Sequence, residues 1–250
     1  MPSESETAPV RRRPYRRLSP DARREELITV ALELFSETSP EQLSLEDVAA
    51  AAGVSRALVY RYFSSLNELY VEALRTATDG LIDRLVPPPE GPLLLQLDEA
   101  VQHFFEFAQA YAAGYVALLR SGSTISTTEG SGLVDDVRQH AVGELLSRLG
   151  VDQPTSYLLL TLRCWVATVE GTVLAWLQEG DLPADDLRTW LVDQLCGMLV
   201  VSAGHDPTLA GQLRGIVDRQ RAQGHDGDAS GLPAVTARVM GGLMAVLPPQ

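Results

Sequence analysis

Residues 45–63 read Leu45-Glu46-Asp47-Val48-Ala49-Ala50-Ala51-Ala52-Gly53-Val54-Ser55-Arg56-Ala57-Leu58-Val59-Tyr60-Arg61-Tyr62-Phe63, and this stretch decides the fold. Two short helical patterns flank a single glycine, the arrangement a helix-turn-helix requires. Ser44 and Ser55 stand where N-caps belong, because a serine oxygen accepts from a free amide of the first turn. Gly53 supplies the positive φ of the turn. Ala49 lets the two helices approach closely, and Val48, Val54 and Val59 bury the inner face. The second helix then has its N-terminal end free to enter a major groove.

Working outward, Ser19-Pro20 opens an earlier helix, with Pro at the first helical position. Leu27, Ala31, Leu34 and Phe35 fall on one face of it. Ser64-Ser65 lead into a further helix that runs to about Leu85. Residues 1–18 read as a disordered basic arm containing Arg11, Arg12 and Arg13, and 19–85 as a helix-turn-helix DNA-binding domain. Such an arm is either a solvated tail or a phosphate and minor-groove contact. The run Pro87-Pro88-Pro89-Glu90-Gly91-Pro92 is a linker no helix can cross.

Beyond it the pattern stays helical, with no alternating strands, so the chain is expected to be all-α. Residues 92–203 form a larger helical domain and 204–250 a helical C-terminal extension in two pieces, 207–222 and 232–246. Within the larger domain, helical segments are expected over 93–112, 115–120, 133–149, 155–179 and 184–201.

The chain of 250 residues is 45% hydrophobic, with a net charge of −13. All twenty basic residues are arginine, and their distribution outweighs the total. The first 75 residues hold ten arginines against twelve acids, while the rest holds ten against twenty-one. An acidic body repels DNA, so contacts are expected only in the N-terminal part, through arginine. Cys164 and Cys196 lie in apolar helical patterns and are expected to be buried thiols in a reducing cytoplasm. No uninterrupted apolar run approaches a membrane span.

The set Val48-Ala49, Ala52-Gly53-Val54-Ser55 and Tyr60-Arg61-Tyr62-Phe63, followed by Glu68-Leu69, resembles the N-terminal domain of tetracycline-repressor-like (TetR-type) regulators. The resemblance is motif-specific over about residues 27–74 and extends to the remainder only in architecture. It implies a homodimer on a near-palindromic double-stranded operator, with a small ligand in the C-terminal domain that changes the spacing of the two reading heads. It implies base contacts from Arg56, Ala57 and Leu58, Arg56 being the candidate for guanine. Tyr60, Arg61 and Tyr62 would meet phosphates and flanking bases, and Ser44 and Ser55 phosphates. Where many members carry a phosphate-contacting lysine, this chain has Leu66.

In the larger domain the segments 155–179 and 184–201 are apolar around much of their circumference and must be buried on more than one side. Either they form a monomer core or, as the resemblance implies, they pair with a second copy through Gly171, Leu174, Trp190, Leu191, Leu195 and Met198. Phe104, Phe105, Tyr111, Tyr115, Trp165, Val169 and Trp176 are candidates to line a pocket for a hydrophobic effector; the plainer reading is core. No catalytic, metal or cofactor residues are assigned. The four histidines show no metal spacing, and there is no phosphate-binding glycine loop or nucleophile elbow. The alternatives are a DNA-binding protein of the same fold without a small ligand, and an enzyme with an appended DNA-binding head.

Overall fold

A computed structural model of the chain describes residues 19–86, 90–119 and 128–223, together with Val235, Ala237, Arg238 and Gly241. Among these residues there are helices and connections but no strand. The order is α1 (Pro20–Glu37), a 3-10 turn (Pro40–Gln42), α2 (Leu45–Ala51), α3 (Arg56–Tyr62), α4 (Leu66–Arg84), α5 (Leu93–Ala110), α6 (Ala112–Leu119), α7 (Thr128–Leu149), α8 (Ser156–Glu179), α9 (Ala184–His205) and α10 (Pro207–Ala222).

Helices α1–α4 form an N-terminal head whose starts are set by serine. The Ser19, Ser44, Ser55 and Ser65 hydroxyls each accept from an amide of the following turn, and Ser44 with Asp47 completes a capping box. The α2–α3 turn is closed by two backbone bonds. The Val54 amide donates to the Ala49 carbonyl at 3.0 Å, and the Gly53 amide to the Ala50 carbonyl at 3.2 Å. This is a Schellman stop, and Gly53 takes φ +65° to make it. Leu27, Ala31, Val48, Val59, Phe63 and Leu69 are fully buried at the centre of the head. At Leu66 the side chain packs against this core, so the apolar residue at that position serves the fold.

The head docks on the rest of the chain through α1 and α4. The Phe35 and Tyr70 rings meet edge to face at 5.1 Å, and the Tyr70 hydroxyl donates to the Gly114 carbonyl in α6 at 3.4 Å. A Cβ on Gly114 would lie 3.3 Å from the Phe35 carbonyl oxygen, so a side chain there would crowd this seam.

The body is built around the antiparallel pair α8 and α9, turned by Gly180 at φ +67°. The buried Trp165 indole N–H donates to the Leu191 carbonyl at 2.9 Å, and Thr161 and Ser202 share a hydroxyl bond of 2.6 Å. With its 24 residues and mean hydropathy of 1.5, α8 is long and apolar enough to cross a membrane. Here its inner face instead packs in the body, with Leu158, Leu162 and Val173 fully buried.

Residues 205–223 of the extension after Gly204 are part of this body. Asp206 caps α10, and Leu209 and Ile216 are buried beneath it. The Gln220 amide oxygen accepts from the Leu93 amide at 3.1 Å, and an Arg219 guanidinium nitrogen donates to the Leu149 carbonyl at 2.6 Å. Val235, Ala237, Arg238 and Gly241 are helical, with Arg238 held bidentately by Asp193 at 2.7 and 2.8 Å. The remainder of the expected 232–246 segment lies outside the described residues.

Several expectations need correction. Helix α7 begins at Thr128, ahead of the expected Leu133, and α6 begins at Ala112. Cys164 is exposed on α8, not buried. Leu191 and Leu195, expected at a surface between copies, are 0% and 5% exposed within this single chain. They fill the space between α9 and its neighbours α5 and α8, and no second copy is needed to bury them.

Candidate functional site

The reading face is built on α3. Val59 and Phe63 anchor it to the core, which leaves Arg56, Ala57, Tyr60 and Arg61 exposed along one side. Leu58 and Tyr62 are half-buried, and Tyr62 packs against the head core as well as bordering this face.

Glu46 of α2 organises the exposed end of α3. Its carboxylate stands 2.5 Å from the Arg56 guanidinium and accepts from the Tyr60 hydroxyl at 3.4 Å. The guanidinium also lies over the Tyr60 ring, 5.3 Å from its centre. Tyr60 and Glu46 together hold Arg56 above its ordinary pKa, so the side chain is a permanent, aligned cation. An arginine so placed presents its donors as a fork, the geometry that matches guanine or phosphate.

The two serines differ. Ser55 accepts from the Leu58 amide at 3.3 Å and keeps its own proton to donate to a phosphate. The Ser44 hydroxyl already donates to Asp47 at 2.6 Å. That hydroxyl and the Ser44 amide hold the Asp47 carboxyl below its usual range, placing a fixed negative charge beside Ser44. Ser44 therefore serves as a cap here, and a phosphate at its hydroxyl would meet that charge. Behind the face, Arg24 bridges Glu72 at 2.8 Å and covers the Phe63 ring at 5.3 Å. Arg11, Arg12 and Arg13 lie outside the described residues.

The body holds a cavity of about 1100 Å³ between α5, α7, α8, α9 and α10, open to the surface where the exposed Val200, Val201 and Arg221 border it. This is at or above the usual range for a small-molecule site. Its walls are dominated by apolar side chains such as Leu97, Val101, Val166 and Leu199. Of the residues expected to line a pocket, Phe104, Trp165 and Val169 do so. Tyr111 and Tyr115 instead border a separate void of about 60 Å³ against α1 and α4 of the head, which Phe104 also reaches.

Phe105 and Trp176 line neither space. Their rings pack on each other at 5.1 Å inside the body, so this part of the aromatic stripe is core. Burial, with the Glu170 charge nearby, pushes the Tyr115 hydroxyl far above its ordinary pKa.

Two ion pairs stand on the cavity wall. Arg138 grips Glu170 through Nε at 2.9 and 3.0 Å and Nη2 at 2.8 Å, with Asp135 on Nη1 at 2.9 Å. Arg148 donates to Glu144 at 2.6 Å and to the buried Gln96 amide oxygen. Gln96 in turn donates to the Gly91 carbonyl at 2.9 Å. Glu170 borders the small void as well as the large cavity, so this pair stands where the body meets the head. Arg163, on the same helix as Glu170, faces outward.

Sequence reasoning missed Gln96, Glu144, Arg148 and the whole contribution of α10, whose Leu213, Ile216 and Val217 line the cavity. The signal was present for α10. Pro207 and Asp206 announce its start, and Leu209, Leu213, Ile216 and Val217 share one face.

Helices α8 and α9 also carry exposed apolar side chains, of which Val200 and Val201 border the cavity as well. Leu160 is 60% exposed, Val200 70% and Val201 65%, alongside Tyr157 and Trp190. Gly171 is exposed on the same helix as Leu160, while Leu174 and Met198 are half-buried against the chain's own core.

Comparison with known proteins accounts for both parts. A model described as bacterial regulatory proteins of the tetR family matches residues 27–73, and one described as a tetracyclin repressor-like C-terminal domain matches 93–198. The crystal structure of a tetR-family transcriptional regulator from Streptomyces coelicolor superposes with a TM-score of 0.82 and 36% identity. That match covers 91% of this chain and 100% of the other. The transcriptional activator FasR of Mycolicibacterium smegmatis is 33% identical over 101 residues, 40% of this chain and 46% of its own length. The transcriptional regulator BetI of Escherichia coli is 31% identical over 101 residues, 39% of this chain and 52% of its own. The chain thus spans about half the length of these curated relatives. A helix-turn-helix head carrying an aligned arginine, a hollow helical body and matches across both place this chain in the TetR family of transcriptional regulators.

Proposed function

We propose that the chain is a homodimeric, ligand-responsive regulator that binds an inverted-repeat operator in the cytoplasm and leaves it when a small hydrophobic effector fills the body cavity. The observation that carries this reading is the cavity of about 1100 Å³ joined through shared wall residues to the seam beneath α1 and α4. Burying an apolar ligand there releases ordered water from a large apolar surface, which is the main source of affinity for such molecules. A ligand that presses on Phe104 and Val137, which line both spaces, acts on the packing that sets the head's angle. Such a ligand moves the equilibrium only by its difference in affinity between the two head positions.

The exposed Leu160, Val200, Val201 and Trp190 support a second copy as the other partner. An apolar patch of this kind marks an interaction site, and a two-fold operator requires a two-fold protein. In this pairing the contact set is Tyr157, Leu160, Gly171, Trp190, Val200 and Val201, with Leu191 and Leu195 left inside.

The same fold without a small ligand is the competing reading, and it calls for a solidly packed body; the cavity favours the first. The test is a thermal-shift screen of apolar metabolites followed by fluorescence anisotropy on an operator recovered by in vitro selection. Compounds that raise Tm are expected to release the operator. Stabilisation by none of them, or stabilisation without release, goes against the effector role.

A further inference from the structure

The chemistry of the cavity wall narrows what it accepts, given the reading that this cavity is the effector site. We propose that the part of the effector enclosed by the body carries no net charge, and that Glu144 and Glu170 set this preference by occupying the arginines an acid would otherwise use.

The wall holds two paired cations, Arg138, whose side chain is 41% exposed, and Arg148, ten residues apart on α7 and so about 15 Å apart along its axis. Each already has a carboxylate on the same wall. Arg138 donates three hydrogen bonds to Glu170, whose side chain is 14% exposed. Arg148 is 13% exposed and is satisfied by Glu144 and by Gln96. Arg221, which also borders the cavity, has a largely exposed side chain and Asp218 at 4.0 Å. Within these two pairs the charges cancel.

An incoming carboxylate that passes beyond Arg221, whose side chain is largely exposed, loses its hydration and must either go without a free counter-ion or evict Glu144 or Glu170 into the same space. Both courses are unfavourable, because an unpaired charge in an apolar enclosure is among the costliest groups to bury. An uncharged chain loses only hydration of apolar surface and gains contact with leucine and valine along the walls. An ester, alcohol or amide group can still take single hydrogen bonds from the paired arginines.

The experiment uses the full chain and an uncharged dye, N-phenylnaphthylamine, displaced in turn by dodecanol, methyl dodecanoate and dodecanoate. It is run at about pH 8, where the free acid is ionised. The alcohol and the ester are expected to displace the dye, with dodecanoate at least about tenfold weaker. Glu144→Gln and Glu170→Gln each remove the wall carboxylate from one arginine, Arg138 keeping Asp135 and Arg148 keeping Gln96, so each is expected to strengthen dodecanoate severalfold and leave the ester within about twofold. The two variants break different pairs, so loss of folding in one leaves the other to decide, and the wild-type comparison needs neither.

Dodecanoate binding as tightly as the ester to the wild type overturns the proposal, as does an unchanged acid-to-ester ratio in both folded variants. A double variant, Ala100→Trp with Ala141→Trp, which obstructs the cavity from α5 and α7, separates this from failure of the site itself. If the ester still binds that variant at full strength, the cavity is not where these molecules go, and the effector-site reading falls with the inference.

Discussion

The Glu46 carboxylate lies 2.5 Å from the Arg56 guanidinium, tying the first residue of the reading helix to the helix before it. Both side chains are largely open to water, so the pair contributes little to the fold. Its effect is expected in DNA binding. Glu46 aligns the fork of Arg56 and, as an anion on the reading face, also discourages indiscriminate phosphate contact. Glu46→Gln is expected to leave Tm unchanged, raise affinity for scrambled duplex and narrow the ratio between operator and scrambled DNA. Anisotropy titrations of both duplexes over a range of salt measure this; a preserved ratio would show that Arg56 needs no alignment.

Arg56→Ala removes the fork itself. Loss of one bidentate base contact corresponds to about a ten- to hundredfold fall in operator affinity with little change on scrambled DNA. An equal loss on both duplexes would reassign Arg56 to a phosphate.

The α8–α9 surface separates two substitutions that look alike in the sequence. Leu160→Asp, at an exposed position, is expected to give folded monomers by light scattering. Leu195→Ala, at a buried one, is expected to cost about 2–5 kcal/mol of stability while leaving the assembly state of the folded fraction unchanged. A dimer surviving Leu160→Asp moves the interface elsewhere.

These two residues also show where legibility ended. The head could be read residue by residue because its determinants are local: serine caps, one glycine at positive φ, and buried valines at fixed spacing. In α9 apolar residues occupy both sides, from Trp190 and Leu191 to Val200 and Val201, so periodicity could not say which side faces inward. The structure puts Leu191 and Leu195 inside and leaves Val200 and Val201 out. On the cavity wall the Arg138–Glu170 ion pair joins residues 32 positions apart, and the hydrogen bond from Arg148 to Gln96 residues 52 apart. No local pattern signals a pairing across such a separation. The aromatic stripe failed for a related reason, since a phenylalanine on the core side of a helix and one on the cavity side share the same spacing.

Gly53 offers a test of the turn apart from any contact. A Cβ there meets nothing within 4 Å, so space is not the constraint; φ is +65°, where an L side chain is strained. Gly53→Ala is expected to cost about 1–2 kcal/mol. Thermal unfolding checks the stability, and operator binding at low temperature is expected to persist because the geometry of α3 is kept. No loss of Tm would place the turn's strain elsewhere.

The seam between head and body is open to a pH test through Tyr70. Burial pushes its hydroxyl up to about 12, from an ordinary value near 10. The folded chain keeps the phenol protonated, while the unfolded chain releases the proton sooner. The stability tied to this group is thus complete below about pH 10 and is lost as pH rises through about 12. A gap of about two pKa units corresponds to about 3 kcal/mol, an upper figure because the group is not wholly enclosed. Denaturant unfolding across that interval is expected to show a steep fall in the wild type. Tyr70→Phe should lower stability at neutral pH by the lost bond to the Gly114 carbonyl, about 1 kcal/mol, yet flatten the alkaline fall. Tyr115, shifted in the same direction by burial, keeps part of the slope in that variant. A slope unchanged by Tyr70→Phe would mean that the head lets go of the body before Tyr70 titrates, and that the seam is the weakest joint in the chain.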